Sequence, residues 1–328
     1  MSLARPHAPR RLPAFALSLA AVAAVAARQA PPPDTPDAKA TAPEKEKEKE
    51  KAEFKGTGRR GPVRTVVTDM PRLVAAHNRE RAKIDKTLPT LTVNPLLTAA
   101  AAAHAKDQAE RGEMSHEGAD GSHPADRVKR AGYQYLACGE NVAYGSWTPD
   151  RLMQGWMDSP PHRKNILGDF TEIGAARATA VDGNNYWAVV FGKPWPKLDP
   201  ATAEADLLAA INEARAAEGK PAMAMHPTLR RIAGEHAAAN AKRGGFAPDD
   251  AAAENPFRKV AAAGYRYAEI GLANGFGQPD PRGMVEGWLG EPAHRERLLG
   301  TMRDAGVGFA RGADGVPFWT LILAKPRR

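Results

Sequence analysis

Hydrophobic and polar positions divide the chain into stretches of different character. Leu12–Ala27 is an uncharged apolar run that follows Arg5, Arg10 and Arg11, ends in small residues around Ala24-Val25-Ala26 and is succeeded by Pro31-Pro32-Pro33. From there to residue 60 apolar positions give way to Pro, Ala and a strict Glu/Lys alternation over Glu44–Lys51, a composition with too little to bury for a core. Helical periodicity then begins near Asp69 and again near Glu204. The alanine-rich stretch from Pro95 to Arg111 is strongly helix-forming, and Gly112 is its stop. Late in the first half the β-rich runs Ile173–Thr179 and Asn185–Phe191 flank an Asp-Gly turn, and Val307–Ala310 and Pro317–Leu323 match them in the second half.

The match is general. At a shift of 132 residues the chain aligns with itself from Pro95/Pro227 to Pro194/Pro326 without an insertion or deletion, with 32 identities in 100 positions. Upstream, Asn78 and Asn212 correspond with a slip of two residues. Proline recurs where helices are expected to start, after Asn94/His226, His123/Asn255, Thr148/Asp280 and Ser159/Glu291. Proline suits the first helical position, and most residues before it are capping types. Helices followed by a hairpin predict an α+β class, each repeat with helices over a small, largely antiparallel sheet. The expected organisation is a leader over 1–28, a linker over 29–68, and repeats over 69–195 and 204–328.

Charge and composition narrow the function classes. The formal net charge is +8, but residues 1–60 hold 12 Lys/Arg against 7 Asp/Glu, so most of the excess is in the leader and linker. Two nearly neutral repeats without an Arg/Lys stripe argue against nucleic acid. The basic residues, apolar run and small-residue zone read as a secretory signal, predicting an extracellular or periplasmic protein. The run is shorter than the roughly 20 residues of a membrane-spanning helix, so no span is expected in the mature chain. With Cys138 the single cysteine, no intrachain disulfide exists, and any metal site must use His, Asp and Glu.

In the first repeat, polar residues outside the helix faces gather at Met114-Ser115-His116, at Cys138-Gly139-Glu140-Asn141, where Gly-Glu-Asn is read as a loop, and along Trp156–Arg163. The ordered string from His77-Asn78 through MSH, DGSHPADRVKRAGY, CGENVAYG, GWMDSPPHRKNIL, FTEIGAA and YWAVVFG resembles the CAP superfamily of cysteine-rich secretory, antigen 5 and pathogenesis-related-1 proteins, in a disulfide-free bacterial form. The resemblance implies an α-β-α sandwich with a cleft of two histidines and two acidic residues, which in some members binds zinc or another divalent ion. It places His116, Glu140 and His162 in three of these positions. Asp158, where the family often has Trp-x-x-Glu, is a candidate for the fourth, and Glu172 is its substitute.

Two imidazoles and a carboxylate suit divalent zinc. The alternative is that Glu140 and His162 hydrogen-bond within a polar cleft while His116 caps a loop. His104, coincident with His236, reads as a helix-face residue, His123 as a cap, Trp156 and Trp187 as core or cleft wall, and Cys138 as an isolated thiol. In the second repeat His116 becomes Pro248 and Glu140 becomes Leu272, while His162 persists as His294. The leading expectation is a secreted binding protein with a divalent-metal cleft in its first repeat and a lipid, glycan or protein ligand at the cell surface. A metal-dependent peptidase or esterase with Glu140 as general base, and a purely structural surface module, are the alternatives.

Overall fold

The computed structural model describes residues 60–68, 70–246 and 255–327. The leader, most of the linker and Pro248 lie outside them. Among the described residues there are ten helices, and each begins on a proline: α1 (Pro71–Ile84), α2 (Pro95–Arg111), α3 (Pro124–Arg130), α4 (Pro149–Asp158), α5 (Pro160–Ile166), α6 (Pro200–Ala217), α7 (Pro227–Arg243), α8 (Pro256–Ala262), α9 (Pro281–Gly290) and α10 (Pro292–Leu299). A proline there sacrifices no hydrogen bond, and its fixed φ is already helical. The first and second repeats therefore start their leading helices at Pro71 and Pro200, not at Asp69 and Glu204. Gly112 ends α2 in the left-handed region, as Gly244 ends α7.

One sheet holds β1 (Thr65–Val67), β2 (Thr92–Val93), β3 (Tyr135–Tyr144), β4 (Glu172–Thr179) and β5 (Asn185–Pro194), in the order β1-β4-β5-β3 with β2 added parallel to β4. The other holds β6 (Ala224–Met225), β7 (Tyr267–Phe276), β8 (Asp304–Arg311) and β9 (Pro317–Pro326), in the order β6-β8-β9-β7. The long strands are antiparallel. Side chains alternate across them, so each sheet feeds two cores. In the first, Ala176, Ala178, Ala188 and Val190 face α2 and α3, while Ile173, Ala175, Trp187, Val189 and Phe191 face α1, α4 and α5. The second sheet is divided in the same way. Gly174 is glycine because α2 lies directly on it: a Cβ there would sit 2.1 Å from the Leu97 carbonyl carbon, and Gly306 meets Leu229 likewise.

The stretch around Cys138–Asn141 is not a loop. It is the middle of β3, an edge strand whose alternation is disguised because the buried face carries Glu140 between Cys138 and Val142. The two-residue slip near Asn78 also has a place. Asn78 exchanges two hydrogen bonds with the backbone of Leu91, and Asn212 does so with Met223, so the length difference is absorbed in the intervening turn.

Candidate functional site

The site is built on the edge of β3, where residues from both helical layers meet. Glu140 points toward α2, with its side chain only 2% exposed. One oxygen accepts from His116 Nδ1 (2.9 Å), and both accept from Arg127 Nη2 (3.1 and 2.9 Å). Arg127, on α3, also donates to the carbonyls of Ser122 and His116 (2.6 and 2.9 Å). It therefore fixes the carboxylate and the preceding loop together. His104 joins the cluster from α2: its Nε2 donates to Ser115 O at 2.7 Å and lies 3.6 Å from Glu140. His104 lies on the buried face of α2. An alanine-rich helix can turn one histidine inward because small side chains leave room for it.

Burial by itself would raise the Glu140 carboxyl. The hydrogen bond from His116 and the charges of His104 and Arg127 outweigh it, so Glu140 is held below the usual carboxylate range. Because a carboxylate accepts at its Nδ1, the His116 ring keeps Nε2 available; that side chain is half exposed. His162 approaches from the opposite layer, on α5. Burial, aided by the charge of His116, lowers it to about 4, and its Nδ1 is buried without a hydrogen-bond partner among the described residues.

The edge of β3 is closed by side chains. Asn165 Nδ2, Trp156 Nε1 and Trp147 Nε1 donate to the carbonyls of Glu140, Val142 and Tyr144 at 2.9, 3.2 and 2.7 Å, three outward groups in succession that a foreign strand would otherwise use. The second repeat keeps two of these, from Arg297 to Leu272 and from Trp288 to Asn274. Trp156 and Trp187 are both buried, as wall and core.

The remaining candidates lie elsewhere. Asp158 is exposed at the end of α4. Glu172 accepts from Tyr133 Oη at 2.5 Å, and the second repeat makes the same bond between Tyr265 and Asp304, which marks it as part of the scaffold. His123 occupies the position before α3, but the capping hydrogen bond runs from its own N–H to Asp126. Cys138 is buried. Sequence reasoning missed Arg127 and also Arg81, a buried guanidinium that donates to the carbonyls of Pro89, Ile166, Gly168 and Phe170. Arg81 anchors the end of α5, the helix that carries His162 and Asn165. In the second repeat Lys259 and Leu272 stand where Arg127 and Glu140 stand in the first, and Lys259 turns outward toward Glu235 at 3.9 Å.

His77 gives a pH prediction independent of this cluster. It is fully buried against Trp156 and Phe191, and burial lowers it to about 4 despite its bond to Leu73 O. Between about pH 6.5 and 4 the unfolded chain binds the proton and the folded one does not, so stability falls as pH falls, by up to about 3 kcal/mol. Urea unfolding at pH 7 and pH 4.5 measures the slope, and His77→Gln is expected to make it shallower, His162 supplying the remainder.

The model of the cysteine-rich secretory protein (CAP) family matches residues 74–191 and 208–323, well over half of the chain. This chain belongs to the CAP family. This CAP chain is similar to the uncharacterized protein YkwD of Bacillus subtilis (strain 168), 33% identical over 121 residues, which is 37% of this chain and 45% of that protein. It is also similar to the uncharacterized membrane protein YlbC of that organism, 30% identical over 115 residues, 35% of this chain and 30% of that protein. The chain thus spans less than half the length of either relative. Among solved structures, an outer surface protein from Borrelia burgdorferi is 25% identical, covering 38% of this chain and 92% of that one with a TM-score of 0.36. No helix among the described residues is long and apolar enough to cross a membrane.

Proposed function

We propose that this is an exported CAP-family binding protein whose ligand cleft lies over the edge of β3 in the first repeat, with His116 and His162 as the side chains that meet the ligand. The state of Glu140 carries the reading. A carboxylate that is buried, held below its usual range and bonded to Arg127 and His116 has neither the basicity nor the access to water of a general base. It serves as an anchor, which favours binding over peptidase or esterase chemistry. Export rests on the basic, apolar and small-residue pattern of residues 1–28. The mass of the exported protein is expected to show cleavage near residue 26 or 30; recovery of full-length chain alone, in the cytoplasm, would exclude export.

The side chains left for a cation are at most the two imidazoles of His116 and His162, fewer than the three or four protein ligands of a zinc centre. Glu140 is taken by Arg127 and His116, and among the described residues no group of three or more His, Cys, Asp or Glu is placed so that it could hold a metal ion. His116 and His162 would hold a divalent ion, which when bound would supply a Lewis-acidic point for an anionic or carbonyl group of the ligand. Calorimetry on the full chain is expected to show weak zinc binding that His116→Ala and His162→Ala abolish. Tight stoichiometric binding that Glu140→Gln removes would instead make Glu140 a ligand.

A further inference from the structure

We propose that the second repeat is a fixed buttress for β3, docked on the first repeat through a bulge residue, Leu136, and completed by Trp195, which directly follows β5. The ladder between β3 and β5 slips between Tyr135 and Ala137, leaving Leu136 without a cross-strand partner. A bulge re-aims a side chain, and here the side chain packs on a cluster of the second repeat formed by Ala241, Val316 and Phe318 together with Trp195. Two residues earlier, Gln134 Nε2 donates to Ala313 O at 2.7 Å, at the tip of the β8–β9 hairpin.

The hairpin is shaped for this approach. At Gly315 a Cβ would lie 2.9 Å from the Gln134 Cβ and 3.0 Å from the Trp195 ring; the corresponding Gly183, with nearly the same φ, has open space around it. Trp195 repeats a theme from the first half. Ahead of the first repeat, Val63 packs on the cluster containing Ala109 and Tyr186, the counterparts at the 132-residue offset of Ala241 and Phe318 in the cluster that holds Trp195. The segment before each repeat thus covers the hairpin end of its sheet. For the second repeat that cover continues from β5 with no spacer, and Arg311 ties it further by donating to Pro196 O.

The docking surface belongs to the first repeat alone. β7 bulges at the same place, between Tyr267 and Glu269, but there the bulge residue is an exposed Ala268 in place of the half-buried Leu136, and Arg266 stands in place of Gln134. A head-to-tail contact that could recur therefore stops after one step. What the contact steadies is the start of β3. This edge strand has β5 as its long ladder neighbour, and Glu140 follows Leu136 by four residues.

Amide hydrogen exchange on the full chain tests this without any ligand, so its outcome is separate from that of the cleft reading. Leu136→Ala and Trp195→Ala are each expected to speed exchange across residues 138–144 about tenfold while leaving the middle of α2 unchanged. Ala268→Leu, at the equivalent bulge, is expected to change neither. If Trp195→Ala does not fold, Leu136→Ala and the surface variant Gln134→Ala carry the test. Faster exchange confined to β9, with β3 unmoved in both, would overturn the proposal and leave Trp195 as a core residue of the second repeat.

Discussion

Arg81→Ala should lower the stability of the folded chain by about 4 kcal/mol, since each buried acceptor stranded without a donor costs about 1–3 kcal/mol. The guanidinium is 1% exposed and serves four carbonyls, those of Pro89, Ile166, Gly168 and Phe170. Lysine should not substitute, because a compact ammonium cannot fan its donors across the width of a planar fork. The second repeat repeats the arrangement with Arg215, which donates to the carbonyls of Pro221, Leu298, Gly300 and Met302. Arg215→Ala should be comparably damaging. Chemical denaturation of both alanine variants and of Arg81→Lys measures this; a lysine variant within about 1 kcal/mol of the parent would show that the fork geometry is unimportant.

The second large effect concerns Arg127 and Glu140, for which the chain carries its own comparison. Breaking a buried ion pair by removing one partner costs about 3–5 kcal/mol, whereas replacing both can be nearly neutral. Glu140→Leu alone strands the Arg127 guanidinium, and Arg127→Lys alone removes the two-oxygen contact. The double variant reproduces the Lys259 and Leu272 of the second repeat, where the lysine finds its own way to the surface. It is expected to recover about 2 kcal/mol or more of the summed loss. A strictly additive cycle would mean that the two residues are not a unit and were lost from the second repeat independently.

Helix starts, the hairpins and the duplication were legible in the sequence because each is signalled locally. Prolines mark the starts, Asp-Gly marks the turns, and an uninterrupted offset of 132 places one repeat on the other. β3 was not legible: Gly139, Glu140 and Asn141 interrupt the apolar alternation of a strand, and the reason they can do so is tertiary, since Arg127 and Asn165 lie far enough along the chain to leave no local trace. Motif order named His116, Glu140 and His162, and the structure places them around one strand edge. The two candidates for a fourth member lie apart from them, Asp158 exposed and Glu172 bonded to Tyr133. Buried arginines are atypical enough to escape a composition-based reading. A signal for one existed all the same, in the Asn-x-x-Arg spacing shared by Asn78/Arg81 and Asn212/Arg215.

The side chains that close the edge of β3 are not the ones assigned to the ligand in the proposed cleft. Asn165 and Trp156 guard the backbone, and in the second repeat Arg297 and Trp288 stand guard at the same carbonyls although the Glu140 position has become leucine. Protection against sticking to other sheets and recognition of a ligand are thus encoded separately. After duplication one copy was free to drift at its recognition residues without becoming a nucleus for aggregation, which is the ordinary fate of a strand that loses its neighbours. The fold tolerates a copy that has lost the Glu140 carboxylate, and such a copy is raw material for a second specificity.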